Sequence, residues 1–218
     1  MTTRKTTGKT SSRPRSPLAM VLLALLAEEP MHPYRMQRLI ERRGKTQVVN
    51  VARSNSVYQV IERLLREGLL RVHRPEHPGE GEEPQVGPSR IVYELTPEGR
   101  ETLFRWLETM LSTPAREFPE FPAALAMIAI MSPDVVRRQL EERIRALEEH
   151  LAQAEADAEL AARMELPRLF TLEDEYRTAM VRAELDWLRG LVDDLRSGRL
   201  SWTEESVRAY SAAHESPA

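Results

Sequence analysis

The stretch SNSVYQVIERLLREGLLRVHR, residues 54–74, decides the fold. Three small polar residues open it. Val57, Tyr58, Ile61, Leu64 and Leu65 then recur at helical spacing, which predicts a short helix with one apolar side. Asn55, Ser56, Gln59, Glu62, Arg63 and Arg66 fall on the other side, and Gly68 closes the helix. The next six residues, LLRVHR, are strand-like and carry Arg71, His73 and Arg74. Two readings fit. The segment is either a packed corner whose cations pair with Glu62 and Glu67, or a surface that a DNA groove receives.

The flanks discriminate between them. Upstream, Ser16-Pro17 is a cap residue followed by a proline suited to the first helical position. LAMVLLALLAEE is apolar on nearly all sides and is expected to be a buried helix ending at Pro30. HPYRMQRLIERRG restarts with Pro33 and stops at Gly44, with Tyr34, Met36, Leu39 and Ile40 on its apolar side. Downstream, RIVYEL alternates Ile91, Tyr93 and Leu95 with Arg90, Val92 and Glu94, as a half-buried strand does. Residues 75–88 between the two strands are Pro, Gly and Glu rich and predict a loop. Thr96-Pro97 caps a further helix, EGRETLFRWLETML. Three helices, a two-stranded ribbon and a closing helix within about a hundred residues is the layout of a winged helix-turn-helix. Its third helix would enter the major groove.

Charge agrees only locally. The 218 residues carry a net −3, so the chain is not a uniformly basic nucleic-acid binder. Residues 1–112 hold 18 basic against 13 acidic side chains, and residues 113–218 hold 13 against 21. The excess lies in the tail 1–16, which has five basic residues, no acid and little to bury. That tail is expected to be disordered and able to find phosphates non-specifically. Residues 17–112 balance to zero, and the loop 75–88 holds four glutamates.

Several classes are disfavoured. With no cysteine there are no disulfides, thiolate metal sites or Cys nucleophile, which fits a reducing, cytoplasmic setting. The longest apolar run is too short to span a membrane, and Glu28, Glu29 and Pro30 stand where a signal peptide would be cleaved. His32, His73, His77, His150 and His214 show no metal-binding spacing, and no phosphate loop or nucleophile elbow occurs. Neither catalysis nor a cofactor nor a metal is expected.

Four places resemble the PadR-type transcriptional regulators. PMHPYRM resembles the turn into that family's second helix, with Pro33 where glycine is usual. SVYQVIERLLREGLL resembles its recognition helix through Tyr58, Arg63, Leu64, Gly68 and Leu69, with Gln59 where proline is common. RIVYELTPEGRETLFRWL resembles its wing and exit through Arg90, Tyr93, Leu95, Thr96, Gly99, Leu103 and Trp106. RAELDWLRGLVDDLRSGRL is similar, more loosely, to the closing helix of the longer members. The resemblance implies a homodimeric regulator, usually a repressor, on a pseudo-palindromic double-stranded operator. It also implies release by a small aromatic or drug-like effector. Gln59 adds a side chain able to hydrogen-bond a base edge, so it bears on which operator is read.

The expected architecture is mainly α. A disordered basic tail (1–16) precedes a winged helix-turn-helix domain (17–112), a C-terminal α-helical dimerisation domain (113–200) and a tail (201–218). Ser54, Asn55, Ser56, Tyr58, Gln59 and Arg63 at the helix, with Arg74 and Arg90 on the wing, are the candidate DNA contacts. Arg63 would read a base or touch only phosphate. In the acidic half, Leu140, Ile144, Leu147 and Leu151 repeat at 4-3-4 spacing, a seam that needs a partner helix. With Leu191 and Leu195 on the last helix they are the candidate dimer residues, and an intramolecular hairpin is the alternative. Position and family together suggest Trp106, Phe118, Phe121, Tyr176 and Trp187 around an effector site, against ordinary core packing. A helical adaptor that binds a protein partner through its C-terminal helices is the rival function.

Overall fold

Helix α1 (Pro17–Glu28) begins where the Ser16 hydroxyl accepts a hydrogen bond from the Ala19 amide at 3.1 Å. In the computed structural model, which describes residues 15–49, 54–73 and 91–214, the side chains of Ser54, Asn55 and His214 are not described. The basic tail before Arg15, the acidic loop 75–88, Arg74 and Arg90 therefore lie outside the described residues.

Residues 1–116 form one unit and 117–218 another, a division four residues beyond the boundary expected from composition. In the first unit Ala19, Leu22, Leu23, Leu25 and Leu26 of α1 are all buried, as its all-round apolarity predicts. Helix α2 (Pro33–Arg42) is capped by His32, whose ring Nδ1 accepts from the Arg35 amide at 3.1 Å. Helix α3 (Ser54–Arg66) buries Val57, Ile61 and Leu64, one residue per turn, against α1 and α2. It ends on Gly68, which takes φ +73°, a left-handed conformation that L side chains rarely adopt. There the Leu69 amide donates to the Leu64 carbonyl and the Gly68 amide to the Leu65 carbonyl, satisfying two terminal acceptors of the helix.

Strands β1 (Leu70–Val72) and β2 (Tyr93–Leu95) pair antiparallel, with Leu70 opposite Leu95, Arg71 opposite Glu94 and Val72 opposite Tyr93. A further bridge, which sequence pattern does not announce, joins Met31 to Tyr93 through two hydrogen bonds of 3.0 Å. It pins the ribbon to the α1–α2 link. Helix α4 (Pro97–Ser112) starts at Thr96, whose Oγ1 accepts from the Gly99 amide at 3.0 Å. The same hydroxyl proton is shared between the carbonyls of Gly68 (2.8 Å) and Leu69 (3.0 Å). Leu103 and Trp106 carry α4 into the core beside α1.

A buried hydroxyl on α4 is unserved. Thr102 is fully buried and its Oγ1 has no hydrogen-bond partner among the described residues. A buried hydroxyl left unpaired costs about 1–3 kcal/mol. Thr102→Val, of the same shape, is therefore expected to raise the stability of the first unit by about 1 kcal/mol, read as a later urea midpoint at unchanged slope.

The second unit comprises α5 (Glu120–Ala126), a 3-10 turn (Ile128–Ile130), α6 (Pro133–Arg163), α7 (Leu172–Ser197) and α8 (Glu204–His214). Helices α6 and α7 form an antiparallel hairpin around Val136, Leu140, Leu188, Val192 and Leu195. Charge fixes the register. Glu141 meets Arg196 (2.9 Å), Glu148 meets Arg189 (2.8 Å) and Glu155 meets Arg182 (2.8 Å), three rungs spaced by one heptad on each helix. The heptad seam of α6 is thus closed by the chain's own last long helix. Leu140 and Leu195, expected at a dimer contact, are buried inside this hairpin. Ile144, Leu147 and Leu191 lean on the same core and Leu151 is half-buried.

Before α7 the Thr171 hydroxyl donates to the Arg168 carbonyl of a 3-10 turn (Arg168–Phe170). One local expectation is corrected. The expected tail after residue 200 holds α8. The Thr203 and Ser206 side chains each accept from the other's amide at its start, and the Trp202 indole N–H donates to the Met131 carbonyl at 2.8 Å. That apolar anchor followed by a polar cap is present in the sequence as SWTEES.

Candidate nucleic-acid interface

Burying Val57, Ile61 and Leu64 turns the opposite side of α3 outward. Gln59, Glu62 and Arg66 are exposed there, and Ser56 and Tyr58 are half-buried at its amino end. Ser54 and Asn55 occupy the first two positions of the helix. Arg66 has no ion-pair partner among the described residues, so its guanidinium is open to water at the helix's carboxyl end. This surface carries donors and acceptors suited to base edges and phosphates.

Arg63 departs from expectation. Its side chain is only 23 % exposed and lies with Nε 4.0 Å from Glu67. The reason is angular. Arg63 follows Gln59 by four positions and precedes Leu64 by one, so it sits on the flank of the helix beside the core rather than on its crest. Arg66, three residues on, takes the crest instead.

A second set of cations escapes the sequence pattern. On α2, Arg38 and Arg42 are exposed and have no carboxylate partner among the described residues. Arg38 lies over the Tyr34 ring, 6.0 Å from its centroid, with its guanidinium 3.5 Å from the Tyr34 hydroxyl. Their neighbours are engaged: Arg35 bonds Glu29, and Arg43 grips both oxygens of Glu28 at 2.6 and 2.7 Å. The signal available in the sequence is the i, i+4 spacing of Arg38 and Arg42, which puts both on one face away from Met36 and Ile40. The first helix of such a motif is the one that crosses the DNA backbone.

The Glu28–Arg43 pair ties the ends of α1 and α2 and has a pH signature. The hydrogen bond from Arg43 is the main cause that holds the Glu28 carboxyl below the usual carboxylate range, against some opposing desolvation. A carboxyl depressed in the folded state stabilises above its unfolded pKa, and the gain is lost as pH falls through the folded value. Acidification below about pH 4 is therefore expected to lower the melting temperature of wild type more than that of Glu28→Gln, which has no such proton to take up.

The ribbon is less basic than it reads. Glu94 accepts from Arg71 Nε at 2.5 Å and lies 2.8 Å from His73 Nδ1. Those two bonds, His73 first and Arg71 second, hold the Glu94 carboxyl below its ordinary range. Arg71 and His73 thus face one carboxylate, contrary to the expected open positive charge.

The aromatic residues expected around an effector stand in different settings. Trp106 is buried in the core of the first unit, so packing accounts for it. Phe118 and Tyr176 are exposed. Phe121 and Trp187 do meet, edge to face at 6.3 Å, and the Arg143 guanidinium stacks 3.8 Å above the Phe121 ring while pairing with Glu184. An open groove of about 390 Å³ runs elsewhere on the α6–α7 hairpin, lined by Ile144, Val192, Arg145, Arg189, Arg196 and their carboxylate neighbours. Among the described residues no helix is long and apolar enough to cross a membrane.

A family model described as transcriptional regulator PadR-like family matches residues 22–105. Among solved structures, Bacillus subtilis PadR in complex with operator DNA superposes with a TM-score of 0.60 at 16 % identity, covering 82 % of this chain and 98 % of that one. The same protein in complex with p-coumaric acid gives 0.64 at 15 % identity over 83 % and 99 %. The Vibrio cholerae virulence activator AphA gives 0.61 at 20 % identity over 83 % and 98 %. At these identities the structures show a shared fold, in both the winged unit and the helical one. No curated protein matches.

Proposed function

We propose that the chain, whose residues 22–105 match the model described as transcriptional regulator PadR-like family, acts as a homodimeric, ligand-responsive repressor on a pseudo-palindromic operator. The supporting observation is the crest of α3. Gln59 and Arg66 stand open to water there while the opposite side is locked in the core, and Arg38 and Arg42, which no described carboxylate meets, lie on the helix before it. Gln59, with Asn55, Ser56 and Tyr58, reads base edges. Ser54, Arg38, Arg42 and Arg66 take phosphates, as do Arg74 and Arg90 on the wing. Arg63 holds Glu67 and shapes the end of the helix.

A twin subunit suits the second unit. Leu160, Met164, Leu169, Phe170, Tyr176 and Met180 are all more than half exposed near the α6–α7 turn. So much apolar surface on one end of a hairpin is unusual for a chain that stays alone. Dimerisation thus falls to these residues more than to the seam. The Bacillus subtilis relative binds p-coumaric acid, and here the Phe121–Trp187 edge under the Arg143 guanidinium offers ring contacts and a cation to a small aromatic acid.

Selection of bound duplex from a random pool tests the reading. An inverted repeat with half-sites about one helical turn apart is expected. Sequence-indifferent recovery, with a protein partner captured instead, would favour a helical adaptor. Sedimentation at micromolar protein showing only the single-chain mass would remove the dimer.

A further inference from the structure

The Arg71–Glu94–His73 cluster has no part in the base-reading surface of α3, yet it sits on the wing. We propose that Glu94 is a brake on the wing. It withholds Arg71 of β1 from DNA phosphates, so that affinity depends on the reading helix rather than on attraction to any duplex. The inference rests on the regulator reading and adds a residue that sets specificity against non-specific binding.

Geometry carries it. Arg71 and Glu94 are directly opposed in the β1–β2 register, so their pairing is built into the ladder and is not a chance meeting of surface side chains. Both carboxylate oxygens are used, Oε1 by Arg71 at 2.5 Å and Oε2 by His73 at 2.8 Å. The Glu94 side chain is 20 % exposed and that of Arg71 66 %. The anion is therefore the fixed, sheltered member, and Arg71 folds back over it. A phosphate approaching Arg71 meets a carboxylate that stays in place, and like charges a few ångströms apart repel. The contrast with Arg38 and Arg42, which no described carboxylate meets, is sharp. Since residues 17–112 balance to zero net charge, withholding even one cation changes the field of the domain appreciably.

The opposite role is that Glu94 aims Arg71 at a phosphate. The two roles predict different salt dependence for the full-length protein on a fluorescently labelled, mixed-sequence duplex between about 50 and 200 mM salt. Each phosphate neutralised contributes about −0.9 to the slope of log K against log salt. A brake predicts that Glu94→Gln steepens the slope by about one and tightens binding to this duplex several-fold. It predicts that Arg71→Gln alone leaves the slope unchanged, and that the double variant returns to it. An unchanged slope or weaker binding in Glu94→Gln overturns the brake, and so does a flatter slope in Arg71→Gln alone. Arg71→Gln, at an exposed side chain, decides the question by itself should Glu94→Gln melt. A wild-type protein that binds no duplex removes the regulator reading and the brake together. Binding by wild type with either overturning result removes the brake alone.

Discussion

Gly99→Ala is expected to lower the melting temperature of the winged unit by on the order of 10 °C, followed by circular dichroism. A Cβ at this position would stand 2.1 Å from the Leu69 carbonyl oxygen and 2.7 Å from a Leu95 methyl. The first obstacle is backbone and cannot rotate away. That carbonyl also accepts the Thr96 hydroxyl and the Thr96 amide, at 3.0 and 3.1 Å, so pushing it aside disturbs the cap of α4 as well. Forcing a methyl group into such packing costs about 1–3 kcal/mol, and loss of a cap adds about 1 kcal/mol. Domains of this size lose about 4–8 °C per kcal/mol. A melting curve within a degree or two of wild type would mean that α4 approaches the ribbon less closely than described.

The second large effect is on DNA. Replacing Arg38 and Arg42 together by glutamine should weaken binding to all duplexes alike. It should flatten the salt slope by about two and reduce affinity on the order of tenfold at about 0.1–0.2 M salt. Neither side chain has a carboxylate partner among the described residues, so folding should be little affected. Gln59→Ala should behave differently, changing which base pair is preferred while leaving the slope alone. If the double variant instead kept its affinity, α2 would not lie along the phosphates and the helix would be oriented otherwise.

The elements that sequence announces are those whose pattern is local. Val57, Ile61 and Leu64 fix the buried side of α3 by spacing alone, Ser16 and Thr96 mark helix starts by their own hydroxyls, and Gly68 marks a stop. Misreadings arise where a partner distant in sequence decides. Arg71 and His73 read as free cations because Glu94, more than twenty residues away, is revealed only by strand register. Leu140 and Leu195 read as dimer contacts because a heptad seam states that a partner helix exists, not whose it is. The rungs Glu141–Arg196, Glu148–Arg189 and Glu155–Arg182 answer that, and their matched seven-residue spacing is legible in the sequence once the two helices are aligned head to tail. The proposed effector site is the least legible, since aromatic residues serve cores and cavities equally. Trp106 belongs to the core.

The Met31–Tyr93 bridge bears on how the winged unit comes apart. Two reciprocal hydrogen bonds join backbone positions sixty-two residues apart, at a spot where Met31 is 1 % exposed. The two bonds can open only together, because each amide is held by the other segment's carbonyl, and both residues are packed in the core. In deuterium labelling, the Met31 and Tyr93 amides should therefore be among the slowest in the unit and share one protection factor. They would report the opening of the whole domain while the ends of α2 and α3 exchange sooner.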